Sequence, residues 1–557
     1  MLPQSMRWAL IHNYAMNCIL ANWGGKVKKT IFIVTIGLIT LSILFFKIKL
    51  NKKPSSNFSF TSAETLNLPE LVKTRASDSP QPNIIILLAD DLGWADVGYR
   101  GSDINTPNID RLAKEGMRLD RFYATPFCTP TRAALMTARD PIKLGAAHAV
   151  FMAWDNAGIS PVEKFMPEDF KSAGYQTAMI GKWHLGHTIE QHTPNARGFD
   201  YFYGHFNTDV LYFDHTFAGG HDFQVNGETV DHSGEYATDV HGNQASHYIE
   251  NLRNPEKPFF LYVPFLAPHS PMEAKEEDKA KYTSRLDTPR HPAKTYAAMV
   301  DSLDQAIGSI LSSLDSEGIA DNTIVLFFSD NGGYYNFGGV NKPLRGGKLE
   351  SYEGGVRVNA VMRWPDVLPP NTINENVVSV MDVYPSLMAA TGISPSYTKK
   401  IDGIDRWSAI IGKGEKERGE PLIFTSNIPI YNQFKYGVLD EQWKLIQHVN
   451  HKRRTSEVET ELYNVWSDPN ETTDLSLERP DIVERLTKVL DKRLAQHPIG
   501  GQYVKIQPHP GWRAPNDYAD VVIPADQVQQ DMWEGFSPMA SAVLQQTHGE
   551  RGRIKYD

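Results

Sequence analysis

Residues 127–137 read Phe-Cys-Thr-Pro-Thr-Arg-Ala-Ala-Leu-Met-Thr, and Cys128 is one of only two cysteines in 557 residues. Pro130 lies where a helix can begin, because the first helical turn does not need its N–H group. Residues 133–136 are good helix formers, so Cys128 is predicted at the exposed head of a helix. Free N–H groups and the helix dipole favour negative charge there, such as an oxyanion. Considered alone, this cysteine is either a thiolate nucleophile beside a histidine or a small buried core residue.

Acidic and amide side chains follow two apolar runs. Asp90 and Asp91 come after Ile-Ile-Ile-Leu-Leu-Ala, and Asp330 and Asn331 come after Ile-Val-Leu-Phe-Phe-Ser. Such runs indicate parallel strands buried on both faces, whose carboxyl ends collect ligands. Adjacent carboxylates repel unless a hard divalent cation holds them, although an isolated Asp-Asp pair is as often a solvated turn. This oxygen-only set predicts calcium or magnesium and disfavours zinc.

A third chemical motif lies at residues 174–186, where a strand at 177–180 runs into a glycine-bounded loop that carries Lys182 and His184. A lone histidine is more often structural than catalytic, but a Lys-x-His pair at the end of a strand suits an oxyanion site. The next residues are rich in histidines whose spacings fit no zinc template. At most they are expected to contact substrate: His187, His192, His205, His215, His221 and His232.

The spacing C-x-P-x-R at 128–132 is the signature of the type I sulfatases, and residues 82–494 resemble that family through five motifs in the family order. In the family, a maturation enzyme oxidises this cysteine to formylglycine, whose aldehyde hydrate is the nucleophile. The family wording then continues Thr-Gly-Arg, whereas this chain has Ala138 in place of the glycine, two turns beyond the chemistry. The resemblance implies that Cys128 becomes formylglycine and that a formylglycine-generating enzyme is a partner during biosynthesis.

The resemblance also implies a role for the other motif residues. Four of them hold a calcium or magnesium ion: Asp90, Asp91, Asp330 and Asn331. Three neutralise the sulfuryl oxygens and the leaving group: Lys182, His269 after a buried strand at 257–265, and Lys348 after a glycine pair. Arg132 holds the hydrate, and His184 removes a proton from its second hydroxyl so that sulfate leaves and the aldehyde returns.

The implied activity is hydrolysis of a sulfuric ester. Residues 341–348 read Asn-Lys-Pro-Leu-Arg-Gly-Gly-Lys and most resemble the N-acetylgalactosamine-4-sulfatase (arylsulfatase B) branch and its bacterial relatives. The expected substrate is a sulfated polysaccharide or glycosaminoglycan fragment, with His148 and Trp154 as sugar contacts. Two alternatives remain. Phosphate or phosphonate ester hydrolases share this fold and metal cage, although two lysines and His269 favour sulfate; a membrane-tethered sugar-binding protein would keep Cys128 as a thiol.

Composition narrows the classes of partner. A net charge of −10 argues against nucleic acid, which calls for a basic surface. An anionic substrate remains compatible, because salt screens a distant acidic surface within about 8–10 Å while cations in a cleft act locally. The two cysteines are too far apart in sequence to suggest a disulfide framework, so stability must come from the core.

The organisation of the chain follows from its length and from the resemblance. A chain of 557 residues predicts more than one domain. Residues 30–46 are uncharged, apolar and flanked by lysines, which predicts export as a membrane-anchored or a periplasmic or extracellular protein. The expected fold is α/β: an alkaline-phosphatase-like large domain with a mostly parallel sheet flanked by helices, plus a small C-terminal α+β domain with an antiparallel sheet. The predicted segments are an N-terminal extension (1–29), a signal anchor or signal peptide (30–46), a linker (47–81), the catalytic domain (82–411), the small domain (420–500) and a tail (501–557) that packs on the catalytic domain.

Overall fold

The computed structural model of the protein describes residues 80–147, 150–397, 399–414, 417–428, 433–451, 456–498 and 511–528. The predicted extension, the apolar segment at 30–46 and all but the end of the predicted linker lie outside these ranges. Within the ranges, no helix combines the length and the apolar character needed to cross a membrane. The proposed anchor and the segment boundaries therefore stay predictions.

The central strand of the fold is buried on both faces. In β1 (Asn83–Ala89), Ile84 and Ile86 pack into one hydrophobic core, whereas Ile85 and Leu87 pack into the other. Side chains alternate across a strand, so an uninterrupted apolar run needs cover on both sides of the sheet. The strand expected from this run is confirmed.

Ten strands form the central sheet. In spatial order they are β14 (Thr372–Ser379), β2 (Met117–Tyr123), β13 (Ala360–Arg363), β12 (Thr323–Ser329), β1, β9 (Phe259–Pro264), β3 (Gln176–Lys182), β4 (Tyr201–His205), β7 (Gln224–Val225) and β8 (Glu228–Thr229). Strands β12, β1, β9, β3 and β4 run parallel. Antiparallel pairs extend the sheet on either side of this group, and β14 runs parallel to β2. The mostly parallel central sheet is confirmed.

Helices cover both faces of this sheet. In chain order the α-helices are α1 (Pro107–Glu115), α2 (Cys128–Thr137), α3 (Met166–Ser172), α4 (Ala237–His247), α5 (Glu276–Lys279), α6 (Ala293–Ser316), α7 (Glu353–Val356), α8 (Val383–Thr391), α9 (Trp407–Ile410) and α10 (Pro480–Leu494). Helix α6 packs Met299, Leu303 and Ile307 into one core, and α2 packs Leu135 and Met136 into the other. The apolar residues of α6 recur every three or four positions, which gives the helix one buried face.

Shorter elements join the long ones. Two small hairpins are formed by β5 (Thr216–Phe217) with β6 (Gly220–His221), and by β10 (Asp287–Thr288) with β11 (His291–Pro292). A π-helical turn covers Tyr248–Leu252. Short 3₁₀ helices cover Gly98–Arg100, Glu190–His192, Asn195–Arg197, Ala280–Tyr282, Tyr335–Phe337, Val380–Asp382, Tyr518–Val521 and Ala525–Gln527.

A second, antiparallel sheet lies in the C-terminal part of the chain. It consists of β15 (Leu422–Ile428), β16 (Gln433–Asp440), β17 (Trp443–His451) and β18 (Ser456–Asn464), each paired with the next. Leu445 and Leu462 of this sheet share a core with Leu486 and Leu490 of α10. The small antiparallel α+β portion of the predicted fold is thereby confirmed.

Residues 511–528 contact loops of the larger part of the fold. Ile523 pairs with Ile189 in a parallel bridge, and Asp517 pairs with His221. The Tyr518 side chain is fully buried, and its hydroxyl donates a hydrogen bond to the Phe217 carbonyl (3.0 Å). Residues 511–528 thus pack against the loops that contain residues 189, 217 and 221.

Candidate active site

The parallel strands bring the predicted site residues to one edge of the central sheet. β1 and β12 pair in register up to Ala89 and Ser329, so Asp90 and Asp330 leave the sheet side by side. β3, two strands away across β9, ends at Lys182. Because parallel strands end at the same edge, residues up to 240 positions apart meet here.

Cys128 is the first residue of α2, as predicted, but the expected exposure is wrong: its side chain is only 1% exposed. All residues of α2 are buried because the helix packs against α3 and α8 instead of lying on the surface. Burial and the charge of Asp90 raise the pKa of the Cys128 thiol well above its usual value, although Lys348 and Lys182 oppose them. A thiolate is therefore not the favoured form of this side chain.

Asp90 is surrounded by cations. Its Oδ2 lies 2.6 Å from Lys182 Nζ and 2.9 Å from Arg132 Nη2, and all three side chains are completely buried. Burial alone would raise the pKa of Asp90, but Lys182, His269 and Arg132 hold it well below its usual value. The same Arg132 nitrogen lies 3.1 Å from Asp330 Oδ2, so one guanidinium bridges the two strands.

Asp91 adopts a positive φ of 65°, which is uncommon for a residue other than glycine. Its Oδ1 lies 2.7 Å from Lys348 Nζ and accepts a 2.7 Å hydrogen bond from Asn331 Nδ2. Its Oδ2 lies 3.7 Å from His269 Nε2. Asp91 thus joins the β1 and β12 loops to Lys348 and His269, two of the three residues predicted to bind sulfate.

The four residues predicted to hold a cation fit that role chemically. The Oδ1 atom of Asn331 is buried and accepts no hydrogen bond from the described part of the chain. Burial and the charge of Asp90 raise the pKa of Asp330 to about 7, despite Arg132. One oxygen each from Asp90 and Asp91, with the sulfur of Cys128 and a ring nitrogen of His269, lie within 4.8 Å of one another. An unpartnered amide oxygen among buried carboxylates suits a hard cation.

His184 is held as a neutral base. Its Nε2 lies 3.0 Å from the Phe151 carbonyl oxygen, so Nε2–H is the donor and Nδ1 carries the lone pair. Nδ1 is buried and makes no hydrogen bond to another described residue. Burial, with the nearby charges of Lys182 and Arg132, lowers the pKa of His184 well below its usual value. Thr129 Oγ1 donates to the His184 carbonyl (3.3 Å), which ties this loop to the head of α2.

The comparison with protein families decides between the classes that this geometry allows. Residues 82–393, more than half of the chain, match the family model described as Sulfatase, and residues 348–498 match the one described as N-sulphoglucosamine sulphohydrolase, C-terminal. The chain belongs to the sulfatase family. It is a sulfuric ester hydrolase, as the sequence motifs implied.

Individual relatives agree with this assignment. The sulfatase is 32% identical over 458 residues to arylsulfatase J of Mus musculus. This alignment covers 74% of this chain and 75% of that protein. It is 32% identical over 467 residues to N-acetylgalactosamine-6-sulfatase of Canis lupus familiaris, covering 75% of this chain and 87% of that protein. Among solved structures, Ps i-CgsB in complex with k-i-k-neocarrahexaose matches with a TM-score of 0.69 and 32% identity, over 76% of this chain and 95% of that one.

Several residues that support the sulfatase site carried no signal in the sequence. Asp209 Oδ1 lies 3.2 Å from His269 Nδ1, which also donates to the Ser270 carbonyl (2.7 Å), and these partners direct Nε2 of the ring towards Asp91. The Phe151 carbonyl that binds His184 is a backbone group, so the amino-acid type at position 151 gives no sign of this hydrogen bond. A polar residue opposite a motif histidine can be recognised only once the loops are folded.

The predicted sugar contacts have different outcomes. His148 lies outside the described residues. Trp154 follows the Phe151 loop and packs edge to face on Trp512, with the ring centres 5.5 Å apart. The neighbouring histidines serve mainly as core: His205 and His215 are completely buried and stack on Phe223. They are therefore poorly placed to touch a substrate.

Proposed function

We propose that this sulfatase removes sulfate from a sulfated carbohydrate, using a formylglycine made from Cys128 and a divalent cation. One observation carries the proposal. Cys128 Sγ lies in a buried site, 3.5 Å from Asp90 Oδ1 and 3.6 Å from Lys348 Nζ. The side chain to be converted, whose Cβ would become the aldehyde carbon as the sulfur leaves, thus already lies between a predicted cation ligand and a predicted sulfate ligand.

Formylglycine, as its hydrate, would supply an oxygen nucleophile where the thiol now lies. Arg132 cannot move far from this place, because Nη1 donates to the Lys182 carbonyl (3.0 Å) while Nη2 contacts two carboxylates. Its buried, permanently charged guanidinium would hold the hydrate in one orientation. The positions of the groups around residue 128 therefore suit an oxygen nucleophile better than a thiolate.

Asp90, Asp91, Asp330 and Asn331 would hold the cation, calcium or magnesium. When bound, it would supply positive charge to the sulfate oxygens and to the nucleophile. Lys182 and Lys348 now contact the carboxylates with their ammonium groups, at 2.6 Å from Asp90 and 2.7 Å from Asp91. With the carboxylates holding the cation, the ammonium groups of both lysines would be available to bind a sulfate beside it.

Lys182, Lys348 and His269 would bind the sulfuryl oxygens. Buried charge-assisted hydrogen bonds contribute about 1.5–3 kcal/mol each. His269 is held at Nδ1, so its Nε2 remains the atom that meets the substrate. His184, whose Nδ1 has no hydrogen-bond partner among the described residues, would accept the proton that has to leave before sulfate is released.

The proposed substrate is a sulfated polysaccharide or glycosaminoglycan fragment. One relative is named an N-acetylgalactosamine-6-sulfatase, and one similar structure was solved with a carrageenan-type hexasaccharide. Aromatic rings favour the apolar faces of sugars. We assign the Trp154 and Trp512 pair to the sugar side of the site, because Trp154 is only three residues from the loop that fixes His184. His148, outside the described residues, stays a predicted sugar contact.

Biosynthesis of the active enzyme would need two further steps. A formylglycine-generating or sulfatase-maturing enzyme would act on residues 128–132 before folding, since Cys128 is buried in the folded chain. Residues 30–46 would direct export, as an anchor or as a signal peptide.

The experiment compares the parent with Cys128→Ser, both produced with a conventional maturation enzyme and assayed for sulfate release from defined sulfated oligosaccharides. The variant is expected to fold, with an unchanged thermal midpoint, and to have little activity. Cys18→Ser changes the other cysteine of the chain and is the matched control, with full turnover expected. Full turnover by Cys128→Ser would contradict the proposal.

A further inference from the structure

Lys348 lies in a loop that the C-terminal sheet holds on both sides. We call residues 343–353 the Lys348 loop. Ahead of the lysine, Arg345 Nη1 donates to the Tyr463 hydroxyl (2.7 Å) and lies 3.4 Å from Glu461 Oε2, both in β18. The same nitrogen lies 3.3 Å from the Glu471 carbonyl oxygen. The C-terminal portion thus binds the loop at Arg345, three residues before Lys348.

The C-terminal sheet also contacts the loop after Lys348, at Tyr352. The Tyr352 hydroxyl donates to Glu461 Oε2 (2.7 Å) and accepts from Arg345 Nη2 (2.9 Å). The Arg345 guanidinium also lies 3.9 Å from the centre of the Tyr352 ring. Tyr352 is 5% exposed, whereas the side chains of Arg345 and Glu461 are 39% and 24% exposed, so water reaches part of this network. One hydroxyl therefore joins the two ends of the loop to the same sheet carboxylate.

A buried ion triad extends this attachment to the end of the loop. Lys444 Nζ of β17 lies 2.8 Å from Glu353 Oε1 and 3.3 Å from Glu471 Oε1, and all three side chains are completely buried. The Glu353 N–H donates to Glu471 Oε2 (2.8 Å). Breaking a buried pair by removing one partner is strongly destabilising, so this triad fixes where the loop ends.

Contacts of Lys348 itself are fewer. Its N–H donates to the Gly333 carbonyl (3.2 Å), and the next N–H donates from Leu349 to the Pro126 carbonyl (2.9 Å). The lysine side chain is long and flexible. The backbone of the sheet approaches closely here as well: a Cβ added to Gly437 of β16 would lie 2.9 Å from Ser351 Cβ. The placement of the lysine backbone therefore depends on the flanks together with these two hydrogen bonds.

We propose that the C-terminal sheet positions Lys348 for catalysis, and that Tyr352 is a positioning residue that acts through this lysine. The inference rests on the proposed function of Lys348 as a sulfate ligand. It assigns the small antiparallel sheet a part in the reaction, since the network around Glu461 determines where the ammonium group stands relative to Cys128 and Asp91.

A double-mutant cycle with Tyr352→Phe and Lys348→Met tests the proposal in the matured enzyme. The measurements are kcat/KM for an aryl sulfate and the affinity for inorganic sulfate by calorimetry. Tyr352→Phe alone should lower both by about five- to fiftyfold, because it removes the hydrogen bonds that the neutral hydroxyl makes with the Glu461 carboxylate and the Arg345 guanidinium. In the Lys348→Met background, the same change should alter both by less than about twofold. An equal loss in both backgrounds, or a loss below twofold in the parent, would overturn the proposal.

Two further variants keep the result interpretable. Tyr463→Phe removes another hydroxyl from the network and should show the same dependence on Lys348. Tyr436→Phe removes a hydroxyl from β16 that makes no hydrogen bond to the described part of the Lys348 loop, and it should leave both quantities unchanged. If Lys348→Met alone keeps parental kcat/KM, the proposed role of Lys348 fails. If Lys348→Met is defective while Tyr352→Phe is not, only the positioning role fails.

Discussion

Lys348 Nζ lies 3.6 Å from Cys128 Sγ, although 220 positions separate the two residues in the chain. The same ammonium group is 2.7 Å from Asp91. An ammonium group in this place would touch both the nucleophile formed at residue 128 and a sulfate bound beside the cation. The protein has a net charge of −10, but in this buried site Lys182, Arg132 and Lys348 are paired with the carboxylates of Asp90, Asp330 and Asp91.

Replacement of Lys348 measures the strength of the sulfate clamp. Lys348→Ala should lower kcat/KM by roughly ten- to a hundredfold or more, since a buried charge-assisted contact contributes about 1.5–3 kcal/mol. The loss should be nearly the same at two ionic strengths, because buried contacts are poorly screened. Lys342→Ala, an exposed lysine of the preceding segment, is the control and should stay within twofold. A Lys348→Ala rate within twofold of the parent would exclude the clamp.

Removal of the cation ligands should reduce metal content and activity together. Asp330→Ala and Asp90→Ala each remove a carboxylate from the oxygen set, and elemental analysis of the purified variants should find less calcium or magnesium than in the parent. Because a ligand that binds only the folded state stabilises it, added calcium should raise the thermal midpoint of the chelator-treated parent. Stoichiometric zinc, with activity lost only on zinc removal, would contradict the assignment.

Buried histidines predict a loss of stability in mild acid. Burial lowers the pKa of His241 to about 3, and its ring packs on Phe223 (5.2 Å) and His205 (5.8 Å). The unfolded chain binds this proton below about 6.5, so the stabilisation is complete above that pH and is lost as pH falls towards 3. At pH 5 the loss from one such residue is about 2 kcal/mol.

His241→Phe tests this by removing the titrating ring while keeping a flat side chain. The free energy of unfolding, measured in urea at pH 7 and pH 5, should fall less between the two pH values in the variant, by about 2 kcal/mol. Any packing defect of the phenyl ring affects both pH values equally. An identical fall in parent and variant would show that His241 does not carry this acid sensitivity.

The Trp154 and Trp512 pair should contribute to the binding of sulfated oligosaccharides and not to the hydrolysis of small aryl sulfates. Trp512→Ala should raise KM for a sulfated oligosaccharide by about tenfold, as expected for loss of a large aromatic contact. It should leave kcat/KM for an aryl sulfate within twofold. Trp466→Ala removes a half-exposed tryptophan just after β18 and serves as the control. Equal losses with both substrates would indicate that Trp512 is only structural.

The sequence predicts the parts of the fold that have a strong period or an uninterrupted apolar run. The uninterrupted apolar run before Asp90 forms β1, and the strand expected at 177–180 lies inside β3. Short strands such as β13 were not predicted, because four residues show too little pattern to distinguish a strand from a loop. Their pairing depends on neighbours distant in sequence.

The sequence could predict those residues of the candidate site whose charged or metal-binding side chains lie in a recognisable motif. Asp90, Lys182 and Lys348 were expected together, and the structure brings them around Cys128. The sequence left the burial of Cys128 open and favoured an exposed helix head, since α2 contains threonines and an arginine that suggest a solvated face. Those polar groups are satisfied inside, as when Thr131 Oγ1 donates to the Asp330 carbonyl (2.7 Å). Only the tertiary structure supplies such partners.

The most direct measurement is the mass of the peptide that contains Cys128, from protein produced with a maturation enzyme. The account predicts a species about 18 Da below the cysteine form, because formylglycine exchanges sulfur and two hydrogens for oxygen. Its fraction should rise in proportion to the sulfatase activity of each preparation. Full sulfatase activity in a preparation whose Cys128 peptide has only the unmodified mass would contradict the account.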